Sequence, residues 1–175
     1  MQEEITITRT VYVKGIRKVG LDSGMLISLV ANKTLFSEYL LKIDEEDGLL
    51  FTHEICVEEA VEVLFRDYKY EKEKAKQDVQ KFLNEHKISI IPKNTLNAET
   101  VQGMFRKCKQ ASIEFHPPDC FIIADFYKSG INKIYSNNNH FLEACQLFGM
   151  DIIKLTTTEK EIDKKLKELF RKHHK

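Results

Sequence analysis

Apolar positions along the chain change period several times, and each change marks an element. Ile5, Ile7, Val11 and Val13 alternate with polar residues, which predicts a strand-like arm that Gly15 turns into the next segment. RKVGLD, Arg17 to Asp22, predicts a short strand, and Ser23 and Gly24 lead into MLISLVAN, apolar on every side as in a buried helix. Leu35 to Ile43 is a second helical stretch; DEEDG breaks the chain, and Leu49 to Phe51 supplies another brief strand. Thr52 is placed to cap a long helix from His53. On it Ile55, Cys56, Glu59, Val63 and Arg66 share one face at spacings mostly of three or four. A further amphipathic helix runs from about Glu71 to Glu85. Ile88 to Ile91 is a compact β-branched run ended by Pro92, which predicts a buried strand. Next come a helix near Ala98 to Gln110, the turn signal HPP, and a helix starting at Asp119 that Gly130 ends. INKIYS predicts a strand, NNN a turn, FLEACQLF a short helix closed by Gly149, and DIIKL the last strand. From Thr158 onward the pattern is that of a charged amphipathic helix.

Strands separated by helical stretches predict an α/β sandwich around a mainly parallel sheet. Functional groups in such sheets gather beyond the carboxyl ends of the strands. Asp22 ends one strand in this pattern, and Ser136 to Asn139 follow another. Composition adds little to this picture. At 175 residues and 42% hydrophobic, the chain fits one domain over residues 1–175, with a core over about 18–155, an N-terminal arm over 1–17 and the charged helix over about 158–175. The 27 basic and 27 acidic residues cancel, so any phosphate contact depends on local patches. Cys56, Cys108, Cys120 and Cys145 form no CxxC pair and lie in apolar stretches, the pattern of reduced thiols in a cytoplasmic protein. No apolar run approaches the roughly 18 residues that a membrane span needs, so no membrane partner is expected.

Four segments, in order, carry the chemistry: VGLDSGMLISL, EICVEEAVEVL, HPPDCFIIADFYKSG and INKIYSNNNHF. Together they resemble the motif blocks of PIN-domain proteins, a family that includes the VapC toxin ribonucleases of VapBC toxin-antitoxin pairs. The resemblance implies a three-layer α/β/α sandwich and a metal-dependent endoribonuclease active on single-stranded or looped RNA. It assigns Asp22, Glu59 and Asp119 to Mg²⁺ or Mn²⁺, with Ser136 and Asn138 completing the catalytic set. It also implies a small antitoxin that occludes the acidic cleft, and homodimers. The separations are 37, 60 and 19 residues between Asp22, Glu59, Asp119 and Asn138. Glu58 competes with its neighbour Glu59, because counting from Thr52 favours the former and counting back from Leu64 the latter. Asp125 and His140 are reserve candidates.

The fourth block departs from the family's pattern, since Ser136-Asn137-Asn138-Asn139-His140 has lost both acidic options. An asparagine keeps an oxygen but removes a charge, so metal affinity should fall and a two-metal arrangement is put in doubt. The alternative function is a PIN fold retained as a catalytically weak or inactive RNA- or protein-binding module. Each candidate also has a plain structural reading. Asp22 and Asp119 are well placed as helix N-caps, and His140 as a surface histidine. In the tail, Lys164, Lys165, Lys167, Arg171 and Lys172 read first as a solvated face and second as a phosphate-binding surface.

Overall fold

Parallel strands cannot be joined by tight turns, so each strand must be followed by a crossover, and helices supply it here. The computed structural model describes residues 17–32, 48–94, 98–114 and 116–154, with Ser37, Tyr39, Leu41 and Lys164. Its elements are β1 (Lys18–Leu21), α1 (Ser23–Ala31), β2 (Leu49–His53), α2 (Glu54–Tyr68), α3 (Lys72–Glu85), β3 (Ser89–Ile91), α4 (Ala98–Gln110), α5 (Pro117–Lys128), β4 (Lys133–Ser136), α6 (Asn139–Leu147) and β5 (Asp151–Lys154). The five strands form one all-parallel sheet in the order β3-β2-β1-β4-β5. This is the α/β sandwich that the alternation of elements predicts. Right-handed crossovers put α1, α2 and α3 on one face and the helices after β3 on the other. The packing of α1 on α2, α2 on α3 and α4 on α5 agrees.

The core follows from composition at the central strands. Val19 and Leu21 in β1 and Ile134 in β4 are fully buried, as expected of a parallel sheet covered on both faces. Gly20 lies between them for a steric reason. A Cβ there would lie 2.6 Å from Ile134 Cδ1 and 2.8 Å from Phe126 Cε2, so the missing side chain lets α5 close onto the sheet.

The chain leaves β1 toward β2 and leaves β4 toward β5, in opposite directions from neighbouring strands. Such a switch point opens a crevice at the carboxyl ends of the two strands. Register fixes what borders it. Leu21 pairs with Tyr135, so Asp22 and Ser136 come next in line on adjacent strands.

Several sequence expectations need correction. Thr52 does not cap α2: it lies in β2, paired with Leu21 on one side and Ile90 on the other, and its hydroxyl donates to the Leu21 carbonyl. His53 is the cap, its Nδ1 accepting from Ile55 N at 3.1 Å. β3 is an edge strand with Ser89 and Ile90 exposed, where a buried strand was expected. α5 begins at Pro117, so the prolines form its first turn and Asp119 lies within that turn. Ser37, Tyr39 and Leu41 are helical, in accord with the second helical stretch. The N-terminal arm to residue 16, the DEED loop and the charged tail, apart from Lys164, lie outside the described residues. Among the described residues, no helix is long and apolar enough to cross a membrane.

Candidate functional site

A cleft of about 900 Å³ opens at the switch point between β1 and β4. Its walls come from the N-terminal turns of four helices, because in a parallel sheet every following helix starts at the carboxyl edge. α1 contributes Asp22, Ser23 and Gly24; α2 contributes Ile55, Cys56, Glu58, Glu59 and Glu62; α5 contributes His116 through Asp119; the turn into α6 contributes Asn137, Asn138 and His140. Glu114 completes the rim. Among the described residues, the lining holds six carboxylates, of Asp22, Glu58, Glu59, Glu62, Asp119 and Glu114, and no lysine or arginine.

Asp22 is the most tightly held of these. It is the N-cap of α1, with Oδ1 accepting from Met25 N at 3.1 Å, while Oδ2 accepts from the Ser136 hydroxyl. Capping and site roles coexist because each carboxylate oxygen has a second lone pair. Ser136, fully buried at the end of β4, also accepts from Asn138 N at 3.0 Å, so one hydroxyl ties the β1 and β4 ends together. Asp119 is half-buried in the first turn of α5, where the helix dipole favours a negative charge. Glu58 and Glu59 are both exposed and both line the cleft.

Cys56 reports how these acids converge. Its thiol is held well above the ordinary value, first by complete burial, then by the charges of Asp22, Glu59 and Asp119. The charges of Asp22, Glu59 and Asp119 thus all reach this one buried sulfur. Cys145 is likewise pushed up by burial and by Asp22 and Asp119. Both thiols are protonated at neutral pH, so neither is a nucleophile there.

The fourth block behaves differently. Asn138 is the N-cap of α6, and its Oδ1 accepts from Phe141 N at 3.3 Å. His140 is exposed, with ring nitrogens 4.0 Å from the carboxylates of Glu114 and Glu143. Asp125 is absent from the cleft lining, for its Oδ2 is engaged by His53 Nε2 at 2.9 Å and Asn94 N at 3.0 Å. The pattern reading missed Glu114, Gly24 and Asn137. Glu114 lies in a connection with no periodicity. Asn137 follows the last residue of β4, so strand alternation no longer tells where it faces.

A lining of carboxylate and amide oxygens suits a hard divalent ion, and no lining thiolate competes for a softer one. Among the described residues, no three His, Cys, Asp or Glu side chains gather closely enough to cage an ion by themselves. Mg²⁺ fits such an open arrangement, because it retains several waters and needs only one or two direct carboxylates. Gly24 gives the same indication: a Cβ at that position would lie 2.8 Å from Asn137 Oδ1 and 3.5 Å from Asp22 Oδ1, so its absence leaves a gap bordered by two oxygens.

Comparison with known proteins connects this geometry to others. The sequence profile of the PIN domain matches residues 19–147. Comparison with the curated proteins finds no match. Among solved structures, DNA-bound VapBC from Salmonella typhimurium is similar at 16% identity and a TM-score of 0.59, covering 79% of this chain and 98% of that one. VapC20 of Mycobacterium tuberculosis, a sarcin-ricin loop cleaving toxin, is similar at 13% identity and a TM-score of 0.58, covering 72% and 94%. VapBC2 of Rickettsia felis, bound to a promoter DNA fragment, is similar at 13% identity and a TM-score of 0.56, covering 78% and 98%.

Proposed function

Because the chain belongs to the PIN domain family, we propose that its acidic cleft is the active site of an endoribonuclease that hydrolyses RNA phosphodiester bonds with Mg²⁺ or Mn²⁺. One observation carries this reading: six carboxylates and no lysine or arginine among the described residues of the lining. A phosphodiester is itself an anion, and such a cleft would repel it unless a cation stood between them. Asp22, Asp119 and Glu59 would hold that ion. When bound, it supplies positive charge against the phosphoryl oxygens and acidifies a water in its shell.

The chain's own groups do the rest. Ser136 and the Met25 amide hold the Asp22 carboxylate in one orientation, as supporting hydrogen bonds do for a ligand. The exposed carboxylate of Glu59 is available to take a proton from the attacking water. Attack proceeds in line with the departing 3′-oxygen, which favours single-stranded or looped RNA, where the backbone can adopt that geometry. Likeness to VapBC complexes and to a sarcin-ricin loop cleaving toxin supports the substrate class and a small antitoxin as partner; homodimers are proposed with them from the family resemblance.

Cleavage of a labelled RNA, titrated with Mg²⁺ and Mn²⁺ using the native chain and Asp22→Asn, tests this reading. Metal-dependent cleavage lost on substitution is the expected result, and native protein without cleavage would overturn it. A second reading, an RNA-binding module without catalysis, draws on Asn138, whose side-chain oxygen already caps α6. RNA binding without cleavage by the native chain would favour it.

A further inference from the structure

Asn137 has a side chain almost wholly buried in the wall of the cleft, and its Nδ2 finds no hydrogen-bond partner. Among the described residues, it is the single buried side-chain atom left in that state. The other end of the amide explains the arrangement. Oδ1 lies 2.8 Å from the point a Gly24 Cβ would occupy, and Asp22 Oδ1 lies 3.5 Å from the same point. Two oxygens from different residues thus border the gap that glycine leaves open. An amide beside a carboxylate ordinarily turns its NH₂ toward it, because that contact is a charge-assisted hydrogen bond. A half-turn about χ2 would exchange the two ends and set Nδ2 at the gap that Asp22 Oδ1 also borders. The fold keeps the oxygen there and leaves the donor unpaired, at the cost of its desolvation. Two oxygens bordering one gap are favourable when a cation lies between them, and hard divalent ions accept Asn carbonyls as well as carboxylates.

We infer that Asn137 Oδ1 is a ligand, beside Asp22, for the divalent ion of the cleft. The inference deepens the proposed function and rests on it. It also resolves the loss of the fourth acid. Asn138 spends its side-chain oxygen on the first turn of α6, and the oxygen offered to the ion comes from the residue before it.

The test is Mn²⁺ binding to the full chain, read from the paramagnetic resonance signal of free Mn²⁺, alongside thermal melts without metal. Asn137→Leu keeps the size but removes both the oxygen and the unpaired donor. Its affinity for Mn²⁺ should fall about tenfold or more, with a melting temperature no lower than that of the parent. Asn137→Asp keeps the shape and adds a charge, so affinity should rise several-fold; this variant decides the matter should the leucine chain fail to fold. Equal Mn²⁺ affinity in parent and Asn137→Leu, or weaker binding in Asn137→Asp, would overturn the ligand role and leave the nuclease reading standing. A parent chain that binds neither Mn²⁺ nor Mg²⁺ would overturn both.

Discussion

Asp22 and Asp125 are both nearly closed off from solvent, 7% and 2% exposed, yet they serve different parts of the molecule. Asp22 ends β1, is fixed by Met25 N and the Ser136 hydroxyl, and still borders the cleft. Asp125 lies on α5 and accepts from His53 and from Asn94 N. His53 Nδ1 accepts from Ile55 N, so its Nε2 is the nitrogen that donates to Asp125. That pair closes the seam between the end of β2, the segment after β3 and α5. Burial and hydrogen bonding are therefore similar for the two acids. What separates them is an opening: one sits in a cleft wall shared with other carboxylates, the other is walled in by its own partners.

Substitutions at the two places should part cleanly. Asp22→Asn retains a good helix cap, so the fold should persist while cleavage drops about 1,000-fold, equivalent to about 4 kcal/mol of barrier. Comparable loss of folding stability in urea would show that Asp22 belongs with Asp125 after all. Asp125→Ala strips the acceptor from His53 and Asn94 and should cost about 3 kcal/mol of stability, measured by urea unfolding, with Mn²⁺ affinity unchanged in the folded protein.

Within the cleft, Glu59 adds its charge to those of Asp22 and Asp119 at Cys56. Glu59→Gln should therefore slow cleavage by about 10- to 100-fold, and Glu58→Gln by less than about threefold, in single-turnover assays. Equal effects would mean that the cleft uses both walls of α2 alike. The smallest expected change is Asn138→Asp. Aspartate caps as well as asparagine and adds about 0.3–1 kcal/mol against the dipole of α6, while Mn²⁺ binding tightens several-fold. No gain in either would remove charge as the reason this position matters.

Much of this organisation was legible in the sequence. The strand-acid-helix pattern at Asp22 locates the carboxyl edge of β1, and Ser136 follows for the same reason at β4. Hydrophobic runs were less informative about position within the sheet. The β-branched residues of Ile88 to Ile91 look the same in a central or an edge strand, and only pairing on one side shows that β3 is the edge. The start of α2 slipped by one residue because Thr52 and His53 can both cap, and pairing to two strands claims Thr52 for the sheet. Helix phase alone does not choose between Glu58 and Glu59, for both line the cleft. Asn137 was invisible, since its role depends on a side chain missing from Gly24, 113 residues earlier in the chain.

The pairing of β1 with β4 also sets a clock. The hydroxyl that steadies Asp22 belongs to the fourth of five strands, and the helix after it completes the cleft. Contacts so distant in sequence form late in folding. A chain still emerging during synthesis therefore carries its first acid long before it can aim it, and any fragment ending before β4 lacks the hydroxyl that steadies that acid.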